Sequence, residues 1–234
     1  MTRIATAGLS LAGVLAILLA TLPMALAPAM GLAPPAGLVA NEAKGTVWRS
    51  VLRAARWNGE PLGDLRVGVQ ALPLLLGQAR MNLSGEGWQV QAVRGARRGV
   101  ARADGQLELP VVFLPGARAT LDARQARLVF AGGQCVQAGG EVRLALASAS
   151  VDFPKMVMSG TPACSGDHGI LVLTAAPGSG LDVGMTWQFN AAGTWSVQTR
   201  VTSEDRALRL ALQLAGFHDT PSGLMHTRLG TIDH

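Results

Sequence analysis

The sequence predicts a mainly β protein: an N-terminal transmembrane helix, then an antiparallel β-sheet domain with one substantial helix near the C-terminus. Three observations predict it. Residues Ile4–Leu22 carry no charge. From Gly45 onward, apolar and polar residues alternate in short runs, the period of a strand with two unlike faces. Twenty-nine glycines and 12 prolines punctuate these runs without any short fixed period, which excludes a collagen-like repeat and favours many strands joined by turns.

The first element is the apolar run. Nineteen helical residues rise about 28 Å, close to the hydrocarbon thickness of a bilayer. Pro23 stops or kinks the helix, and Pro28, Pro34 and Pro35 favour an extended spacer after it. A cleaved signal peptide is the rival, with Ala25-Leu26-Ala27 as its small-x-small site. Pro28 directly after that site and the length of the apolar run both favour an uncleaved anchor. We therefore divide the chain into an anchor over 1–27, a spacer over 28–43 and a β-rich body over 44–234. Arg3 and the α-amino group precede the helix, so the positive-inside rule keeps the N-terminus cytoplasmic. In a bacterium the body then lies in the periplasm, and the anchor in the inner membrane.

Within the body, Thr46–Trp57 reads as a strand with one apolar and one mixed face, followed by the hairpin signal Asn58-Gly59. Leu65–Val69, Ala79–Leu83 and Trp88–Arg94 alternate likewise, the last after the turn Gly85-Glu86-Gly87. Between them, Ala71–Gly77 is short, apolar and closed by glycine, and reads as a helical turn plugging one end of the sheet. Further strands are predicted near Ala119–Phe130, Glu141–Ala147, Ile170–Thr174, Gly184–Asn190 and Thr194–Thr202, with a hairpin through Asn190–Gly193. A helix follows with Ser203 as N-cap, and with Glu204 and Asp205 in its first turn. Leu208, Leu212 and Ala215 form its apolar stripe, Leu210 and Leu214 widen it, and Gly216 ends it. A final strand spans Leu224–Ile232.

Charge is uneven along the chain. From Asn41 to Ser150 there are 14 basic and 8 acidic residues; from Val151 to His234, 5 basic and 7 acidic. A basic half suits nucleic acid or anionic lipid, but its arginines are dispersed and few aromatics accompany them. The plainer reading is the solvated face of amphipathic strands, and no nucleic-acid partner is expected.

Chemistry-bearing patterns are sparse. Gly-x-Ser-x-Gly, a phosphate-binding glycine loop and His-x-x-x-His are all absent from the sequence. Cys135 and Cys164 are the two cysteines, both among turn residues. An even number in an exported domain suggests one disulfide; a redox pair or metal site is the alternative, without Cys-x-x-Cys to support it. Asp167-His168 is the most site-like pair, beside Cys164, while His218-Asp219 fits the turn after the helix. Trp48, Trp57 and Trp88 suit either a ligand platform or the core. No catalytic, cofactor or metal site is assigned, and no enzymatic activity is expected.

Four local patterns, in order and spacing, resemble protein N of the type II secretion system. Gly45-Thr46-Val47-Trp48-Arg49-Ser50-Val51-Leu52 is similar to the family's Gly-Thr-Val-Trp opening strand. Pro61-Leu62-Gly63-Asp64-Leu65-Arg66 resembles its Leu-Gly-x-Leu segment, so Gly45, Trp48, Leu62, Gly63 and Leu65 are the family-motif residues. Leu72–Gly77 resembles its short apolar helix, and Cys135 and Cys164 its cysteine pair. The resemblance implies an accessory inner-membrane component of the apparatus that exports folded proteins through an outer-membrane secretin. It implies a curved antiparallel sheet, and as partners other secretion components: the inner-membrane platform, with the secretin as a further candidate. The rival function is a periplasmic lipid- or glycolipid-binding envelope protein that uses the sheet as a greasy groove. A sheet face open to solvent favours lipid; a face sealed by the helix at Ser203–Ala215 favours a scaffold.

Overall fold

Alternating strands separated by turns do form the fold, but their breaks fall where period two is interrupted. The computed structural model describes residues 37–57, 59–110, 117–148, 156–175 and 182–231. The predicted anchor, and the spacer up to residue 36, lie outside them. Among the described residues no helix is long and apolar enough to cross a membrane. The described residues form sixteen antiparallel-paired strands and two helices, divided between two compact units, 1–86 and 87–234.

In the first unit the strands are β1 (Leu38–Val39), β2 (Glu42–Thr46), β3 (Arg49–Trp57), β4 (Glu60–Val69) and β5 (Gln78–Gly85). Both β1 and β2 pair with β3, which is followed across the sheet by β4 and β5. Strands thus begin inside the segment expected as spacer, at Leu38. The strand predicted over Thr46–Trp57 is not continuous. Thr46 pairs with Arg49, so Val47-Trp48 is a two-residue hairpin turn and Trp48 lies off the strand. A bulge then interrupts β3 at Ala54, whose φ is +48°. The buried positions accordingly shift from Ser50 and Leu52 to Ala55, against the parity read from the sequence.

Helix α1 (Ala71–Leu75) joins β4 to β5. Leu74 packs toward the buried Val47 and Val69, as expected of a plug. Leu72 and Leu76, however, point to solvent, so only part of the apolar turn plugs anything.

The second unit follows the order β6 (Trp88–Gly95), β7 (Arg97–Pro110), β8 (Ala117–Ala131), β9 (Gln134–Ser148), β10 (Met156–Gly160), β12 (His168–Ala175), β13 (Asp182–Asn190), β14 (Thr194–Thr202), β16 (Gly223–Thr231), β15 (His218–Thr220), with β11 (Pro162–Ser165) pairing β12. Its core runs through β8 to β16 and includes Met156, Met158, Leu173, Val183, Val201 and Leu224. Strand β7 has no counterpart among the predicted strands. Register shifts at Val100/Ala103 and Ala103/Gly105 break its alternation, so the repeat is invisible in the sequence. Likewise β11 and β15 were hidden in segments that read as turns, and β10 has no counterpart among the predicted strands.

Helix α2 spans Arg206–Leu214. Its N-cap is Asp205, not Ser203: the Asp205 carboxylate accepts from the backbone N–H groups of Ala207 (2.8 Å) and Leu208 (3.3 Å). Ser203 sits two residues earlier and accepts from the Asp205 N–H at 3.1 Å. Leu208, Leu212 and Ala215 face the core as predicted, whereas Leu210 and Leu214 are exposed and do not widen the stripe. Gly216, at φ +93°, ends the helix.

Candidate functional site

The family-motif residues converge on two backbone irregularities of the first unit. Gly45 has φ +113°, and a Cβ there would stand 2.4 Å from the Arg49 carbonyl oxygen, so the β2–β3 turn requires glycine. Trp48 is half-buried against Val47 and Val69, and Val69 N–H donates to Val47 O at 3.1 Å, seating the turn on β4. At the other irregularity, Ala55 faces Gly63, which has φ +76°. Asp64 accepts the bulged Ala54 N–H at 3.0 Å, and Leu65, 1% exposed, pairs with Leu52. Leu62 is half-buried. These residues shape the sheet and bring no reactive groups together. Trp57 is 44% exposed at the far end of β3 from Trp48, so the two share no platform.

A second aspartate repeats the device in the other unit. Gln125, at φ +51°, is the bulge of β8, and its N–H donates to Asp104 at 2.8 Å. The Arg102 guanidinium and then that N–H hold the Asp104 carboxyl below its ordinary pKa.

Cys135 and Cys164 form a disulfide, with Cα atoms 5.4 Å apart. Both lie on strands, β9 and β11, rather than in turns. The β9–β10 ladder ends at Gly160↔Val142, and beyond it Cys135 N–H donates to Gly166 O at 3.1 Å. The disulfide therefore clamps β11 to β9 where the ladder has stopped. It also uses up the one candidate nucleophile beside Asp167-His168. His168 Nδ1 and Asp167 Oδ1 are 2.6 Å apart on an exposed hairpin tip, where Gly166-Asp167 links Ser165 to His168. His218-Asp219, expected in a turn, belongs to β15. Asp219 there accepts from Arg209 (2.8 Å) and Gln213 (2.6 Å) of α2. Among the described residues no cluster of three or more metal-ligating side chains occurs.

The inner face of the second unit is filled. Leu212 and Phe217 are buried in the core beside Val201 and Leu224. Toward the other end the cross-strand row Gly169–Phe189–Trp195–Gly230 shares that face, with Trp187 stacked on Phe189 at 6.0 Å. The Leu128 side chain lies over Gly169 and the Trp195 ring over Gly230, each where a Cβ would stand. Arg98 of β7 donates to the Ala191 carbonyl at 3.1 Å, tying that end of β7 to the β13–β14 turn. The greasy groove of the lipid reading is thus occupied by the protein's own side chains.

An open groove of about 450 Å³ at this end of the same strands is lined by His168, Gln188, Asn190, Ser196 and Leu229 of the outer rows and by Phe189, Trp195 and Gly230 of the inner row. Leu229, 77% exposed, lies on the last long strand of the sheet. Sequence reasoning missed this position, because nothing in Leu224–Ile232 marks the strand as an edge.

Comparison with known proteins gives one positive result. The family described as Type II secretion system (T2SS), protein N matches residues 36–225, most of the chain. No curated protein and no solved structure matches significantly. The match spans both units, from the motif residues of the first through the disulfide and α2 of the second. The chain belongs to the type II secretion system protein N family.

Proposed function

We infer that the chain acts as a type II secretion component at the cell envelope, since it belongs to a family of secretion-system parts and not of known enzymes. We propose that it is an accessory inner-membrane and periplasmic component that supports export of folded proteins by protein–protein contacts. In this reading residues 1–27 anchor it with the N-terminus cytoplasmic, 28–43 lead into the first strands, and 44–234 are the periplasmic body. The inner-membrane platform is its first partner and the secretin a further one.

One observation carries the reading. The inner sheet face of the second unit, which an amphiphile needs, is packed with Leu212, Phe217 and the aromatic row, while Leu229 stands exposed at a sheet edge. That distribution suits a scaffold meeting other proteins, and it leaves the lipid-binding reading without support.

The test is genetic. Deleting the gene should slow release of folded secretion substrates and leave them in the periplasm, and the full chain should restore release. Unchanged release in the deletion strain would overturn the accessory role. Replacing Met1–Pro35 with a cleavable signal peptide should give a soluble periplasmic body; an insoluble product would count against a self-sufficient one.

A further inference from the structure

The two ends of the described strand order are treated differently. On β2, the edge of the first unit, Glu42 and Lys44 pair at 3.0 Å and Gly45 follows, leaving a short, charged and irregular edge. Such features block the addition of another strand. On β16 the protection is partial. Strand β15 covers only Gly223–Met225, and α2 pins it through Asp219. Phe217 packs against His226, with centroids 5.1 Å apart. Past that point no strand among the described residues pairs with the outer side of Thr227–Gly230. This stretch carries no proline, bulge or acidic side chain, and Leu229 stands 77% exposed on it.

We propose that Thr227–Gly230 is a docking edge for an extended segment of another secretion protein, added as a further antiparallel or parallel strand. The inference rests on the protein-contact reading above and names its surface. Register fixes the chemistry of the segment. Leu229 lies in the outer row Gln188–Ser196–Leu229, so the residue facing it enters the mouth of the groove. Cross-strand Cβ atoms lie about 4.5–5.5 Å apart, so an aliphatic or aromatic side chain at that position covers Leu229. Arg228 lies in the inner row Leu171–Trp187–Val197–Arg228 and is exposed at the edge, with no ion pair among the described residues. The residue facing it is therefore Asp or Glu. A second copy fits less well. Two-fold pairing centred on Leu229 sets two Arg228 side chains on one face, diagonally about 7–8 Å apart, with no neutralising partner.

The test places a photo-reactive residue in the full chain, in cells that carry the apparatus. It replaces Leu229, and in separate chains the control positions Lys44 and Leu214. We expect a heteromeric adduct from position 229, with the attachment mapped by mass spectrometry to an apolar residue next to an acidic one in a secretion component. A synthetic peptide of that segment should slow amide exchange at Thr227–Gly230, and Arg228→Glu should weaken its binding about tenfold. Changing the peptide's acid to arginine should restore binding to Arg228→Glu. Adducts to secretion components from Lys44 or Leu214 but not from 229 would overturn the edge assignment and leave the broader reading standing. So would an adduct from 229 to a second copy or to lipid. No adduct to any secretion component from any position would defeat both.

Discussion

At the residue scale, two aspartates hold two of the places where the sheet departs from period two. Ala54 and Gln125 adopt positive φ without being glycine, a conformation costing on the order of 1–3 kcal/mol that persists only where the surroundings hold it. In each case an aspartate on the neighbouring strand, Asp64 or Asp104, accepts the displaced N–H. The Asp104 pKa is depressed, chiefly by Arg102. Its contribution to stability is therefore present above the ordinary carboxylate range and is lost as pH falls through the depressed value. We expect Asp104→Asn to lower Tm at neutral pH and to flatten the acid limb of the stability curve. Thermal unfolding at a series of pH values checks this, and an unchanged acid limb would remove Asp104 from the account. Gly45 is the complementary case. Gly45→Ala should cost about 1–3 kcal/mol, because its Cβ meets the Arg49 carbonyl as well as an unfavourable φ. Denaturant unfolding measures it, and a neutral result would mean that the β2–β3 turn has another conformation available.

At the scale of elements, the cap of α2 and the disulfide are the joints that set how well the second unit holds. Asp205→Ala should destabilise by about 1 kcal/mol and Ser203→Ala by clearly less, since Asp205 alone meets the helix N–H groups. The reverse ranking in chemical denaturation would restore Ser203 as the cap. The disulfide closes a loop of sequence separation 29, worth on the order of 3 kcal/mol in the chain-entropy account. Cys135→Ser and Cys164→Ser should each lower stability by about that amount, and the double variant by no more. Additive losses would mean that the two thiols act separately. These elements also mark what the sequence reveals. The β13–β14 hairpin was legible because Phe189 and Trp195 pair with unbroken alternation and Asn190 caps its own turn. The helix stripe was legible too, but Ser203, Glu204 and Asp205 all favour a helix start, and only local geometry selects among them. Strand β7 was illegible because its bulges scramble the period, and Thr161–Gly166 reads as turn although Pro162 is buried at the start of β11.

At the scale of the molecule, family identity and fold class were legible in the order of weak motifs, whereas the interaction surface was not. The motif residues Gly45, Trp48, Leu62, Gly63 and Leu65 build turns and bulges in the first unit, so they identify the fold without marking a binding site. What marks the edge is that β15 stops after three residues while β16 runs on for six more, a fact of pairing that no local pattern encodes. The filled inner face likewise depends on Leu212 and Phe217 sharing one core with residues as distant in sequence as Ala119 and Val142. The central claim is that the chain works by contact with other secretion proteins. Its most direct test is chemical crosslinking in intact cells through the 44–234 body, followed by affinity purification and mass spectrometry. The account predicts recovery of inner-membrane platform proteins, with the secretin next. Recovery of lipid or glycolipid with no secretion component would contradict it.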